Sequence, residues 1–110
     1  MSSRDDNFLV TDILEAIQKI LAYKEGLSYE EFLKDSKTKD AIVMNLLIIG
    51  EASNRLSEDF KTENSRVPWS KLRGFRNRLI HEYFGVDYSI VWNVISNELI
   101  SVENEIKNLI

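Results

Sequence analysis

Hydrophobic positions recur at three- and four-residue spacings along most of the chain, a period that predicts helices nearly throughout. From about Asp5 to Tyr23, Val10, Ile13, Leu14, Ile17, Ile20 and Leu21 form one apolar stripe. Asp5 and Asp6 stand where the helix dipole favours negative charge, and Gly26 is the expected stop. Ser28-Tyr29-Glu30-Glu31 has the form of a capping box, so a short helix starts there and carries Phe32 and Leu33 inward. From about Lys37 to Leu56 the pattern changes. Ala41, Ile42, Val43, Met44, Leu46, Leu47, Ile48 and Ile49 surround a lone Asn45, which predicts a central helix packed on every side. A buried strand competes for such a run, but its continuation from Gly50 through Glu51 to Leu56 favours helix.

Ser57 to Val67 is polar and reads as a loop. Val67-Pro68-Trp69 looks like a helix start with proline at the first helical position, and Gly74 is placed to bend or interrupt that helix. Gly85-Val86-Asp87 closes this segment, and Asp87 is suited to cap a last helix carrying Val91, Val94, Ile95, Ile100, Val102, Ile106 and Leu109. Trp92 and Leu99 widen that stripe. No alternating strand pattern, repeat or second domain is evident. The expectation is a single all-α domain over residues 1–110, an up-and-down bundle of four longer helices plus a short one.

Composition sets limits on the chemistry. The 110 residues are 44% hydrophobic and 29% charged, enough for a real core. There is no cysteine and one histidine, which removes thiolate chemistry and argues against a transition-metal site within one subunit. The N-terminus lacks the apolar segment of a secretory signal, and the run from Ala41 to Ile49 falls well short of the roughly 20 residues that span a bilayer. A soluble, cytoplasmic protein with no membrane partner is expected.

The net charge of −4 argues weakly against a general nucleic-acid binder. Its distribution changes that. Between Asn64 and His81 stand Arg66, Lys71, Arg73, Arg76 and Arg78 with no acidic residue, so the rest of the chain holds nine basic residues against eighteen acidic ones. This basic stretch leads into Arg76-Asn77-Arg78-Leu79-Ile80-His81-Glu82-Tyr83. Read as a helix of about 100° per residue, it makes Asn77 and His81 neighbours, stacks Arg76 with Tyr83, and puts Ile80 and Phe84 on the strip between. Arg78 and Glu82 then form a solvent pair on the far side.

These residues fit the Arg-x-x-x-x-His-x-Tyr motif of HEPN ribonuclease toxins, and the chain resembles the HepT-like proteins that pair with minimal nucleotidyltransferase (MNT) antitoxins. Ile49-Gly50-Glu51-Ala52, Pro68-Trp69 and Tyr83-Phe84-Gly85-Val86-Asp87 extend the resemblance over nearly the whole chain. It implies a HEPN-fold homodimer in which the two motif segments meet in a composite RNA-cleaving cleft that uses no metal and no cofactor. Arg76 and His81 are its implied catalytic pair, in the toxin of a type VII toxin–antitoxin system.

The chemistry of those side chains agrees with the implication. Histidine exchanges a proton near neutrality, and arginine offers a fixed, forked charge to a phosphate. A second copy of the chain would supply the second histidine that separate base and acid roles need. Asn77 is expected to orient His81 or donate to a phosphate oxygen, and Glu51, at the end of the apolar run, to hold Arg76. The resemblance makes Tyr83 the residue that receives AMP from a separate MNT partner. Lys71, Arg73 and Arg78 read first as a solvated face and second as an RNA-steering surface, while Trp69, Phe75, Tyr83 and Phe84 read as packing or dimer contacts. A HEPN-fold binding module without turnover, holding a nucleotide, an RNA end or the nucleotidyltransferase, is the alternative.

Overall fold

A computed structural model describes residues 4–81, 83 and 85–110 of the chain. Two long helices form its spine. Helix α1 (Arg4–Lys24) lies along α3 (Ser36–Arg55) in the most extensive contact of the fold, with the short α2 (Tyr29–Lys34) between them in sequence. The chain then runs through α4 (Glu58–Glu63), α5 (Trp69–Arg73) and α6 (Phe75–Leu79) into a ribbon of β1 (Ile80–His81) and β2 (Gly85–Val86), and ends with α7 (Tyr88–Asn97) and α8 (Leu99–Lys107). The fold is all-α apart from this two-strand ribbon.

The apolar stripes account for the packing. Ile13, Ile17 and Ile20 of α1 meet Ile42, Leu46 and Ile49 of α3, while Leu72, Phe75 and Leu79 bring α5 and α6 onto the same core, and Ile95, Leu99 and Ile106 close it from α7 and α8. Each of these side chains is fully buried, a gain of about 1.5–3 kcal/mol apiece relative to exposure. The capping box at α2 forms as expected: Glu31 N–H donates to Ser28 Oγ at 3.1 Å, and Ser28 N–H donates to Glu31 Oε1 at 2.9 Å. Gly26 ends the first helical segment with a φ of +78°, a conformation that favours glycine.

Five local expectations fail. Residues 57–67 are not all loop. Ser57 caps α4 by accepting the Phe60 N–H, and Phe60 is buried edge-on against Trp69; one apolar residue is too few to show a period. Helix α3 is not covered on every side. Met44 is 59% exposed, whereas Asn45 is buried with its amide donating to the Ala41 carbonyl on its own helix. The last helix breaks at Glu98, which separates α7 from α8. Finally, the helix through the basic motif ends at Leu79, and Ile80 turns extended. Pro68 takes the N-cap of α5 rather than its first helical position.

Asp6 serves a purpose beyond the helix dipole. Buried in the first turn of α1, it accepts the Ser57 backbone N–H at 2.9 Å and the Ser57 hydroxyl at 2.8 Å, bracing the start of α4. No helix among the described residues is long and apolar enough to cross a membrane.

Gly50 governs the approach of α5 to α3. A Cβ at this position would stand 3.0 Å from the Leu72 carbonyl oxygen, a backbone atom that can yield only if α5 moves. Gly50→Ala is therefore expected to destabilise the fold by about 1–3 kcal/mol in urea unfolding. Met44→Ala, on the open face of the same helix, is expected to change it by less than about 0.5 kcal/mol. Equal effects from the two would contradict this account of the packing.

Candidate active site

The basic stretch from Lys71 to Arg78 reaches the surface on two consecutive short helices, α5 and α6. Trp69 anchors α5: its indole N–H donates to the Asn64 carbonyl at 3.0 Å, and its ring packs on Phe60. Gly74 separates α5 from α6, so the two helices point their buried faces, Leu72 on one and Phe75 with Leu79 on the other, into one core. That anchoring turns Arg73, Arg76 and Asn77 outward, where all three are exposed.

There they meet α3. Arg73, Arg76 and Asn77 form one wall of a cleft of about 370 Å³, and Leu47, Glu51 and Asn54 form the other, with Gly50 between. Among the described residues, none of its five polar side chains has a hydrogen-bond or ion-pair partner. Arg76 and Glu51 thus share a cleft without an ion pair between them. Two unpaired guanidiniums beside two amides suit an anionic ligand that also offers polar edges. Asn54 escaped the sequence reading, although it lies three residues after Glu51 on one helix face.

The other cations go elsewhere. Glu82, the partner expected for Arg78, lies outside the described residues, and Arg78 is a third exposed. Its two Nη atoms donate to the two carboxylate oxygens of Glu98 at 3.1 and 2.8 Å, a bidentate pair that ties α6 to the α7–α8 break. Lys71 lines a separate groove with Pro68, Asn97, Glu98 and Ser101. Of the three expected steering residues, only Arg73 borders the cleft.

His81 is not a helix neighbour of Asn77. It lies in β1, opposite Gly85 of β2, and the hairpin is closed below it by Asp87 N–H donating to the Leu79 carbonyl at 2.7 Å. Gly85 has a φ of +75°, which lets the chain return so tightly. His81 does not line the cleft that holds Arg76; its side chain is 49% exposed, with Nε2 at 3.6 Å from Asp87 Oδ2. Tyr83 stands at the hairpin turn, 86% exposed, and is not stacked on Arg76 within one helix. Phe84, expected beside Ile80, lies outside the described residues. The sequence marks Asp87 as a helix cap and as the end of the stretch that follows the motif, but nothing local links it to a histidine six residues earlier.

Comparison with known proteins adds a family. The model described as Ribonuclease HepT-like matches residues 13–109. A provisionally named RNase of Methanocaldococcus jannaschii is 38% identical over 109 residues, covering 99% of this chain and 88% of that protein. Another from Caldanaerobacter subterraneus subsp. tengcongensis is 40% identical over 98 residues, covering 89% and 88%. The provisionally assigned ribonuclease HepT of Thermococcus cleftensis is 38% identical over 98 residues, covering 89% of each. No solved structure matches the chain.

The Arg78–Glu98 pair has a pH signature. Its hydrogen bonds to Arg78 hold the Glu98 carboxyl below its ordinary 4.5. A carboxylate depressed in the folded state stabilises above its unfolded pKa, and that contribution is lost as pH falls through the folded value. Glu98→Gln should therefore cost up to about 1 kcal/mol at pH 7, because the pair is partly solvent-screened. The gap between variant and wild type should narrow as pH falls below the ordinary glutamate value and close once it passes the lowered folded one. Chemical denaturation at several pH values measures it, and a gap that is constant with pH would contradict the assignment.

Proposed function

This chain belongs to the HepT-like ribonuclease family, and on that premise we propose that it is a metal-independent endoribonuclease toxin acting as a homodimer. The observation that carries the reading is the cleft in which Arg73 and Arg76 stand unpaired beside Asn77, with His81 half-exposed on the hairpin directly after it in the chain.

The chemistry uses the substrate's own nucleophile. An RNA 2′-hydroxyl attacks the adjacent phosphorus, the P–O5′ bond breaks, and a 2′,3′-cyclic phosphate and a 5′-hydroxyl result. One imidazole takes the 2′-hydroxyl proton and a protonated one gives a proton to the departing O5′. Each chain has one histidine. His81 of one subunit would act as base and His81 of the other as acid, so the site needs two copies. Arg76 would balance the charge that builds on the phosphorane, Asn77 would donate to a phosphate oxygen, and Arg73 would hold a neighbouring phosphate. Glu51 would restrain the Arg76 side chain once RNA fills the cleft. Lys71 and Arg78 would contribute only to the long-range field.

Tyr83 fits the role of regulated residue. Its hydroxyl sits at an open hairpin turn two residues past His81, within reach of a second enzyme. Transfer of AMP from ATP to that oxygen, with release of pyrophosphate, would place an anionic adduct beside the histidine and repel RNA. The donor would be an MNT antitoxin, making this the toxin of a type VII system. The separation of His81 from the Arg76 cleft within one subunit favours the second reading, a module that binds RNA or a nucleotide without cutting it.

Cleavage of RNA in EDTA by wild type, Arg76→Ala and His81→Ala separates the two. Both variants are expected to lose about 10²- to 10⁴-fold in rate while keeping the fold. Intact mass after co-expression with the nucleotidyltransferase should rise by one or more AMP units in wild type and not in Tyr83→Phe. Binding without cleavage by the unmodified wild type would replace the toxin by the binding module.

A further inference from the structure

The two oxygens of the Asp87 carboxylate do different work. Oδ1 accepts the Ser89 N–H at 3.1 Å, the Ile90 N–H at 3.3 Å and the Ser89 hydroxyl at 2.6 Å, which caps α7. The same residue is fixed through its backbone, since its N–H closes the hairpin onto the Leu79 carbonyl. With the main chain and Oδ1 both held, the direction of Oδ2 is set. It points to His81 Nε2, 3.6 Å away, a charge contact that a small rotation of the half-exposed imidazole closes into a hydrogen bond.

A carboxylate can only accept, so it favours a proton on the nitrogen it faces. The proton on one imidazole nitrogen then decides the state of the other. We propose that Asp87 is the positioning residue of His81: it holds the proton on Nε2 and leaves Nδ1 as the atom that exchanges a proton with RNA. The proposal rests on the ribonuclease reading. In the forward step the 2′-hydroxyl proton passes to Nδ1, the ring becomes an imidazolium, and the Nε2 proton stays where it is. Asp87 then faces a positive ring instead of a neutral one. The Ser89 hydroxyl, first among several donors, holds the Asp87 carboxyl below its ordinary value, so it stays ionised throughout.

A carboxylate that merely capped α7 would leave the histidine indifferent, and this is the distinction to test. Asp87→Asn keeps an oxygen for the cap, since asparagine caps as well as aspartate. It replaces the second acceptor by an amide N–H that can only donate. Asp87→Ser retains a capping hydroxyl with no group long enough to reach the ring. Because His81 is the sole histidine, its two ring nitrogens can be followed by ¹⁵N NMR without assignment ambiguity.

At a pH where the ring is neutral, wild type is expected to hold the Nε2–H form, Asp87→Asn to shift towards Nδ1–H, and Asp87→Ser to lie between. The kcat for RNA cleavage should fall at least about tenfold in Asp87→Asn. That is less than the roughly 10⁴ that a wrong tautomer costs in a buried catalytic triad, because this pair is half-exposed. KM should stay within about twofold, as for loss of an interaction made in the transition state. The same tautomer in wild type and Asp87→Asn, or an altered tautomer with unchanged kcat, overturns the proposal. If wild type cuts no RNA, the ribonuclease reading falls and takes the role of Nδ1 with it, while the tautomer measurement still decides whether Asp87 orients the ring.

Discussion

Helix α5 lies so close to α3 at Gly50 that a Cβ there would stand 3.0 Å from the Leu72 carbonyl oxygen, tighter than an ordinary contact. This close approach sets the geometry of everything after it. Glu51 and Asn54 come after Gly50 within about one turn, and Arg73 comes directly after Leu72, so the contact that seats the two helices also fixes the width of the cleft between their polar residues. Phe75 and Leu79 extend the same anchoring into α6, and their burial on one face turns Arg76 and Asn77 out on the other. The cleft is thus built from backbone proximity and core packing, without a polar network of its own.

The positive charge available to a ligand is narrower than the composition suggests. Five basic residues crowd the stretch before His81, yet Glu98 engages Arg78 and Lys71 faces another groove. The cleft itself keeps Arg73 and Arg76, set in a chain of net charge −4. Such an arrangement would favour an anionic group locally while the acidic remainder of the surface would disfavour indiscriminate contact with nucleic acid, and the attraction would weaken beyond a Debye length of about 8 Å.

Much of this architecture was legible in the sequence where local rules suffice. The stripe of α1, the capping box at Ser28 and Glu31, the extent of α3 and the Asp87 cap each depend on residues a few positions apart. The hidden features depend on partners far along the chain. Helix α6 stops at Leu79 because its carbonyl is taken by the Asp87 N–H, and no breaker between Arg76 and Tyr83 announces it. Arg78 finds Glu98 twenty residues on, across a break in a helix that the apolar stripe crosses without interruption. Helix α4 was missed because its single buried aromatic, Phe60, carries no period. In the first two cases a longer-range contact overrode the nearest-neighbour pattern.

Among the described residues, the hairpin that carries His81 has two paired positions on each strand. A ladder of that size does not persist alone in water. Its closing hydrogen bond and the cap of α7 both come from Asp87, so the ribbon borrows its rigidity from the helix behind it. The histidine is therefore as well placed as α7 is well folded. Fraying of the first turn of α7 would release the ribbon while α1 and α3 remained packed, a partial opening far cheaper than global unfolding. Thermal tolerance of the fold and thermal tolerance of the site are then separate quantities, with the second set by the grip of Val91 and Val94 on the core.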